Sequence, residues 1–543
     1  MNRRMGRAAV AGALAAMAMA AMPFAVAQVP APAPASSGKA LREAPGVRVE
    51  RIRFEGNRAL GEAELSAIAA RYEGRLLQAE GLEELRLEVT RRYVAAGFLN
   101  SGAVIPDQAI SGGLLVVRIV EGRLAATEVT GEHAFQPGYL EERLAAGAGS
   151  PLNVHRLQEA MQLMLQEGAV EQINAELVPG ERPGEAVLRT RVREAPRRRV
   201  EIAALNNRPA NLGEPTGEVR IHARNSTGWN ETLTASYALT QGNDEYAVFA
   251  SLPFTARDDT LFVRAGRNYG SVVEPPFDQI GLANVSETLE VGASRPVVRA
   301  LDRSLVATLS LQRSRTTTYI LDEPFPVLPG SVDGETRITA VRAAVDGVRR
   351  TADTVVAGRL ALGIGLDAMS ATIHADPRIP DSQFVTGLGQ VQAIARLAGG
   401  ADQVVARADV QLASRRLTSS EQFPVGGMAS VRGYRENTLI RDEGITASAE
   451  YRKQVARLPA PWLGEGSSDG ALQLAVFADA GGGRDQGGQW DTLASVGGGL
   501  RWSAGGGLEA VVYKAFPLRN EPPGDETLQD RGIHFRIGFV GRF

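Results

Sequence analysis

From Arg197 to Phe543 the sequence loses helical periodicity and becomes a succession of short runs in which apolar and polar residues alternate. A period of two puts consecutive side chains on opposite faces of a strand. Val356, Leu360, Leu362, Ile364 and Leu366 share one face, with Arg359 on the other. Val404, Ala406, Ala408, Val410 and Leu412 oppose Arg407, Asp409 and Gln411. Such a strand separates an apolar medium from a polar one. A strand between lipid and an aqueous lumen has this pattern, but so does a strand of a water-soluble sandwich, so one run decides nothing. The number of runs says more. Sixteen candidates lie between Arg197 and the terminus, at roughly 22 residues per strand and connection. An even number and strand lengths near ten residues predict an all-β transmembrane barrel of 16 antiparallel strands over residues 196–543. Closure leaves no unpaired edge in lipid.

Composition narrows the chemistry. The chain of 543 residues has 59 Lys+Arg against 62 Asp+Glu, a formal net charge of −3. A general nucleic-acid binder needs an excess of clustered cations, so none is expected as a partner. There is no cysteine, which removes thiol catalysis, thiolate metal sites and disulfides together. Glycine, with 60 residues, is in excess of the usual 7% or so. Gly481 to Gly483, Gly497 to Gly499 and Gly505 to Gly507 all fall in the β region. They are expected in its connections, or where lumenal elements approach the wall.

The last run is the strongest local signal. Ile533, Phe535, Ile537, Phe539 and Phe543 fall on one face, with His534, Arg536 and Arg542 on the other. A terminal aromatic on such a strand resembles the assembly signal of bacterial outer-membrane barrels. That resemblance gives Phe543 the role of assembly signal and implies outer-membrane lipid and the barrel-assembly machinery as partners.

At the other end, Arg3, Arg4 and Arg7 precede an apolar run from Ala8 to Ala27 that closes on Ala25-Val26-Ala27. This reads as a secretory signal peptide over 1–27, with a membrane anchor as the less favoured alternative. Residues 28–46, rich in Pro and Ala, read as a linker. Beyond the leader no run of 18 apolar residues occurs, so no membrane-spanning helix is expected.

Between linker and barrel the pattern strand, helix, helix, strand, strand occurs twice, over 47–124 and 125–195. In the first copy Val47 to Asn57 reads as a strand whose alternation slips near Glu50-Arg51, predicting a bulge or a frayed edge. Leu65, Ile68 and Tyr72 mark one helix; Leu82, Leu85, Val89, Tyr93 and Ala96 mark a second. Ser101 to Ile110 and Leu114 to Val120 then read as a hairpin turning at Gly112-Gly113. In the second copy Leu157, Ala160, Met161 and Met164 form an apolar helical stripe, followed by strands Ile173 to Val178 and Ala186 to Val192. Small tandem modules of about 70 to 80 residues have modest cores and more often present binding edges than catalytic pockets.

Between the eleventh and twelfth candidate strands lies a long segment, 414–444, containing Ser430-Val431-Arg432-Gly433-Tyr434. It resembles the Val-Arg-Gly-Tyr/Phe loop motif of the outer-membrane insertase and translocase superfamily. Phe477-Ala478-Asp479-Ala480-Gly481 in the thirteenth strand resembles the companion Phe-x-Asp-x-Gly motif. The two preceding modules resemble polypeptide-transport-associated (POTRA) domains. Taken together, the region after residue 27 resembles two-partner secretion transporters of the haemolysin-activator branch. Alternation places Leu472, Leu474 and Val476 outward, so Phe477 and Asp479 face the lumen. The resemblance implies a loop folded back into the barrel, with Arg432 meeting Asp479. Val431, Gly433, Tyr434, Phe477 and Gly481 complete this loop anchor. An arginine fork can bind a carboxylate bidentately, which a lysine cannot. The plug helix of some family members has little room in residues 28–46.

His133, His155, His222, His374 and His534 are scattered without metal-ligand spacing, and no nucleophile elbow, phosphate loop or zinc-protease motif is present. The sequence therefore predicts no enzyme, no metal and no cofactor. The expected function is an outer-membrane pore that exports a large β-helical exoprotein, with the modules in the periplasm. Capture of an extended partner segment by strand addition is expected at Ser101 to Ile110 and the neighbouring helix. Candidate contacts are Leu82, Leu85, Val89, Tyr93, Val104 and Ile105. The alternative is an insertase for other barrels, although that branch commonly carries five modules. A diffusion porin would need none.

Overall fold

Glu50 separates two strands that the alternation joins. In the computed structural model, which describes residues 46–397, 400, 402–460, 470–519 and 527–543, Val47–Val49 pairs antiparallel with Arg75–Leu77. Arg51–Glu55 instead pairs in parallel with Leu114–Val120. The slip is thus neither a bulge nor a frayed edge but a change of sheet. It is fixed where the Glu50 N–H donates to Gly113 O at 2.8 Å and the Ile52 N–H to Glu73 Oε1 at 2.8 Å. The signal peptide and all but the end of the linker lie outside the described residues.

The first module packs helices Glu62–Ala69 and Ala79–Ala95 on one face of this sheet. Leu65, Ile68, Leu85, Val89 and Tyr93 meet Leu115, Val117 and Ile119 in one core. Burying each such side chain stabilises by roughly 1.5–3 kcal/mol. The predicted hairpin shrinks: only Gly102–Val104 pairs with Leu114–Val120. Continuing that register would bring Pro106 opposite Val116, and proline has no N–H to donate. Gln108 takes over, its Nε2 donating to Val116 O at 2.7 Å and its Oε1 accepting from Val116 N at 2.9 Å.

The second module repeats the topology. Its central strand, Glu185–Glu194, lies parallel to Arg123–Glu132 and antiparallel to Val170–Pro179, under helices Tyr139–Ala148 and Val154–Gln166. Its first strand begins at Arg123, so the junction falls at Gly122 rather than after Leu124. The modules are joined by backbone hydrogen bonds, Leu152 N to Gly122 O at 2.8 Å and Val154 N to Gly97 O at 2.9 Å. Asn153 caps the second helix through its Oδ1 and donates from Nδ2 to Ala96 O at 2.9 Å.

Residues 196–543 close a barrel of sixteen antiparallel strands, with the two-residue strand Glu323–Pro324 added at the end of the seventh. The first strand, Arg198–Leu205, pairs with the sixteenth, Ile533–Arg542, from Arg536↔Leu205 to Arg542↔Arg199. Connections on the side of the barrel's two ends are mostly short, as at 300–302 and 351–353, with 458–470 longer. Most of those on the far side run long, as at 367–384 and 518–532, with 240–242 short. This asymmetry of short periplasmic turns and longer external loops characterises outer-membrane barrels. Along the thirteenth strand, Ala471–Arg484, Leu474 and Val476 are exposed while Ala475, Phe477 and Asp479 are buried. The outer surface is apolar, and the inner face is covered by the connection that follows the eleventh strand, Gln403–Ala413. No helix among the described residues is long and apolar enough to cross a membrane, and the strands do the crossing.

The glycine runs divide between the two expected placements. Only Gly505 to Gly507 makes a turn. Gly481 to Gly483 and Gly497 to Gly499 lie inside the thirteenth and fourteenth strands, the latter Asp491–Gly505.

Candidate functional site

The long connection enters the lumen as a short hairpin, Phe423–Val425 against Leu439–Arg441, whose tip is 426–438. Phe423, Val425, Val431 and Tyr434 are buried together with Leu493 of the wall. This apolar patch explains why the tip turns inward. The Tyr434 hydroxyl donates to Ala494 O at 2.8 Å. At Gly433 φ is +92°, a conformation that costs an L-residue about 1–2 kcal/mol. A Cβ there would stand 3.1 Å from the Ala515 Cβ.

Arg432 is the centre of the site. Its Nε donates to Asp479 Oδ2 at 2.7 Å and its Nη2 to Asp479 Oδ1 at 2.9 Å, a bidentate fork. Its backbone N–H also reaches Asp479 Oδ2, at 3.1 Å. Nη1 meets Glu450 Oε2 at 2.5 Å, and Nη2 approaches Ser448 Oγ at 3.2 Å. The guanidinium carbon lies 3.4 Å from the centre of the Phe477 ring, and Phe477 meets Tyr513 edge-on at 5.4 Å. A flat cation is therefore clamped between carboxylates at its rim and an aromatic floor. Both carboxylates face inward from neighbouring strands, Glu450 from the middle of the twelfth, Glu443–Arg457. Close approach to the wall needs small residues. At Gly497 a Cβ would fall 2.5 Å from the Phe477 ring, and at Gly481 it would fall 3.0 Å from Val425 of the hairpin.

The tip is tied elsewhere too. Arg407 donates to Ala429 O at 2.9 Å from the eleventh strand. The Gly433 N–H donates to His534 Nε2 at 3.0 Å in the sixteenth. At the hairpin's base, Glu421 receives Arg342 Nη2 at 2.7 Å, from the eighth strand, Glu335–Arg350. Glu450, Ser448, Tyr513 and His534 were not singled out by motif. The one sign of them in the sequence was His534 on the inward face of the last strand.

The candidate partner contacts are placed otherwise. Leu85, Val89 and Tyr93 are fully buried in the first module's core, and Leu82 and Ile105 pack half-buried against it. That helix face is occupied by its own sheet and is not a docking surface. Val104 is exposed, but the outward amide of Ala103 beside it already donates to Thr90 Oγ1 at 3.1 Å. Phe543 is exposed, and its backbone pairs with that of Arg198 at 2.8 and 3.1 Å. Among the described residues no three His, Asp or Glu side chains converge as a metal site.

With this geometry in hand, comparison places the chain among known proteins. The model of haemolysin secretion/activation protein ShlB/FhaC/HecB matches residues 184–502, and the ShlB-type POTRA domain matches 47–122. The outer membrane transporter CdiB of Dickeya dadantii is 24% identical over 454 residues, 79% of this chain and 76% of the relative. The heme/hemopexin transporter protein HuxB of Haemophilus influenzae is 22% identical over 84% of this chain and 81% of its own. Among solved structures, CdiB from Escherichia coli superposes with a TM-score of 0.71 at 19% identity, covering 93% of this chain and 92% of that one. BamA from Haemophilus ducreyi, lacking POTRA domains 1–3, reaches 0.56 at 11% identity over 91% and 100%. These structural likenesses speak to the fold.

Proposed function

Because the chain belongs to the haemolysin secretion/activation family of ShlB, FhaC and HecB, we propose that it captures one large β-helical exoprotein in the periplasm and conducts it through the barrel. It is an outer-membrane transporter of the two-partner secretion type, with its POTRA modules on the periplasmic side. Members of the family are transporters, not enzymes. The observation that carries the proposal is the clamp on Arg432. A polar loop held inside a closed barrel by buried charges serves a conduit that must be occupied at rest, which a diffusion porin does not require. The loop motif is shared with insertases, but the family model is that of secretion/activation proteins and the likeness to BamA is the weaker one.

Capture by strand addition needs a free edge. In the first module Gln108 and Thr90 occupy what the short strand leaves open. In the second, Arg123–Glu132 and Val170–Pro179 are each ten residues long and paired on one side only. Of these two edges Val170–Pro179 is the proposed receiver for an extended segment, with Val104 at most a flanking contact. Biogenesis requires lipid and the barrel-assembly machinery, with Phe543 as the recognised end. Direction comes from folding of the exported chain outside, since the periplasm has no nucleotide to hydrolyse.

The test is export itself. Deleting the chain should leave its partner exoprotein in the periplasm, and restoring it should release that protein. Undiminished release without the chain would overturn the proposal.

A further inference from the structure

Three residues after Arg432, a second arginine points the other way. Arg435 Nε donates to Asp530 Oδ1 at 2.5 Å and its Nη2 to Asp530 Oδ2 at 2.7 Å, while Nη1 reaches Glu274 Oε2 at 2.9 Å. Asp530 belongs to the connection 518–532 before the last strand, and Glu274 to the connection 272–282 after the fifth. The Asp530 side chain is fully buried and also accepts from Thr527, through N at 3.1 Å and Oγ1 at 2.9 Å. The hydrogen bonds that Arg435 donates to Asp530 raise its guanidinium above the ordinary range, against partial desolvation. Next to it, the Glu436 N–H donates to Gln529 Oε1 at 2.8 Å. Gln529 is itself buried, and its Nε2 donates to Arg208 O at 2.7 Å, in the connection after the first strand. One turn of the loop tip thus ties together the external connections on both sides of the seam between first and last strands.

We infer that Arg435, Asp530 and Glu274 form an outer clasp that seals the far mouth of the barrel and opens separately from the Arg432 clamp. The inference rests on the barrel being the export conduit proposed above. Two features separate clasp from clamp. The clamp holds the tip to the strands of the wall, whereas the clasp holds it to external connections. The Arg432 guanidinium is enclosed, whereas Arg435 and Glu274 keep about a quarter of their side-chain surface in contact with water. Water can compete at the clasp first, so the clasp is the part that yields when a chain arrives.

The full-length protein carrying Arg435→Gln and Asp530→Asn would be reconstituted in planar bilayers and its KCl current followed. This pair should conduct about tenfold more than the parent chain, as expected when a charge-assisted fork is lost from a two-state closure. Glu274→Gln, which leaves the buried carboxylate in place, should give a smaller rise in the same direction and guards against misassembly of the pair. Parent-level current from both the pair and Glu274→Gln would overturn the clasp. Deleting residues 426–438 provides the control on the conduit itself. If that variant assembles and still passes no current, the export reading fails instead.

Discussion

The backbone N–H of Gly433 donates to Nε2 of His534, 3.0 Å away and 101 residues later in the chain. An imidazole nitrogen that accepts has no proton of its own, so the ring is neutral with its proton on Nδ1. The loop tip is thereby joined to the last strand of the barrel, the strand that closes the seam. Replacing His534 with Phe keeps a buried ring but leaves the Gly433 amide without an acceptor, at a cost of about 1–3 kcal/mol. The variant should still insert and migrate as a heat-modifiable barrel, while its tip is cut by external protease faster than in the parent.

Arg432 has two carboxylates, and they do not depend on it equally. Without the arginine, Glu450 keeps Arg452 at 2.6 Å and the Tyr513 hydroxyl at 3.1 Å, whereas Asp479 keeps the Ser448 hydroxyl at 2.6 Å. Arg432→Ala should therefore cost about 3–5 kcal/mol of loop retention, most of it from the stranded Asp479. Adding Asp479→Asn should make matters no worse. Secretion and protease access measured on the singles and the double would show this. Additive losses would mean that the two residues act independently. Arg432→Lys should not rescue, because an ammonium cannot fork onto Asp479 and reach Glu450 together.

Gly497 gives a test of the aromatic floor. Gly497→Ala introduces a methyl 2.5 Å from the Phe477 ring edge and 2.4 Å from Lys514 O of the adjoining strand, so the ring and the local ladder must both shift. It should reduce secretion at least as much as Phe477→Ala, which removes the ring without touching the ladder. Normal secretion with an assembled barrel would show the floor to be dispensable.

Acid should open the clasp late. Burial works against ionisation of Asp530, but the hydrogen bonds from Arg435 and Thr527 prevail and hold its carboxyl below its ordinary value of 3.8. A group depressed on folding contributes its stability above the unfolded value and loses it as pH falls through the folded one. KCl current through the parent chain should stay flat from neutral pH to about pH 5 and rise only below about pH 4. A rise that begins above pH 5 would point instead to Glu214, which accepts from the Leu528 N–H and whose carboxyl is pushed up by burial.

For capture, photo-crosslinking residues placed at Asn174 or Glu176 should trap the exported exoprotein during secretion, and the same probe at Val104 should trap less. The reverse ratio would return the docking edge to the first module.

Much of this architecture can be read from alternation. Val356 to Leu366 and Val404 to Leu412 expose their apolar faces as their period predicts, because a lipid-facing strand has no freedom to do otherwise. Glu450 was not legible, since lumenal charges are common along such strands and only the fold brings this one beside Asp479. Gly497 to Gly499 left connection and wall approach both open, because a strand without side chains has no alternation to display. The stripe of Leu85, Val89 and Tyr93 was visible as a face, but periodicity does not say whether a face meets its own sheet or a visitor. Glu50 marked a disturbance without telling that the strands on its two sides belong to different sheets.

Gln108 has a consequence of its own. A periplasm in transit holds many half-folded chains, each able to extend any β border it meets. With a side-chain amide standing in for the residue that Pro106 cannot provide, the first module closes this border of its central strand to such strangers. That border can wait in the crowd without being fouled by it.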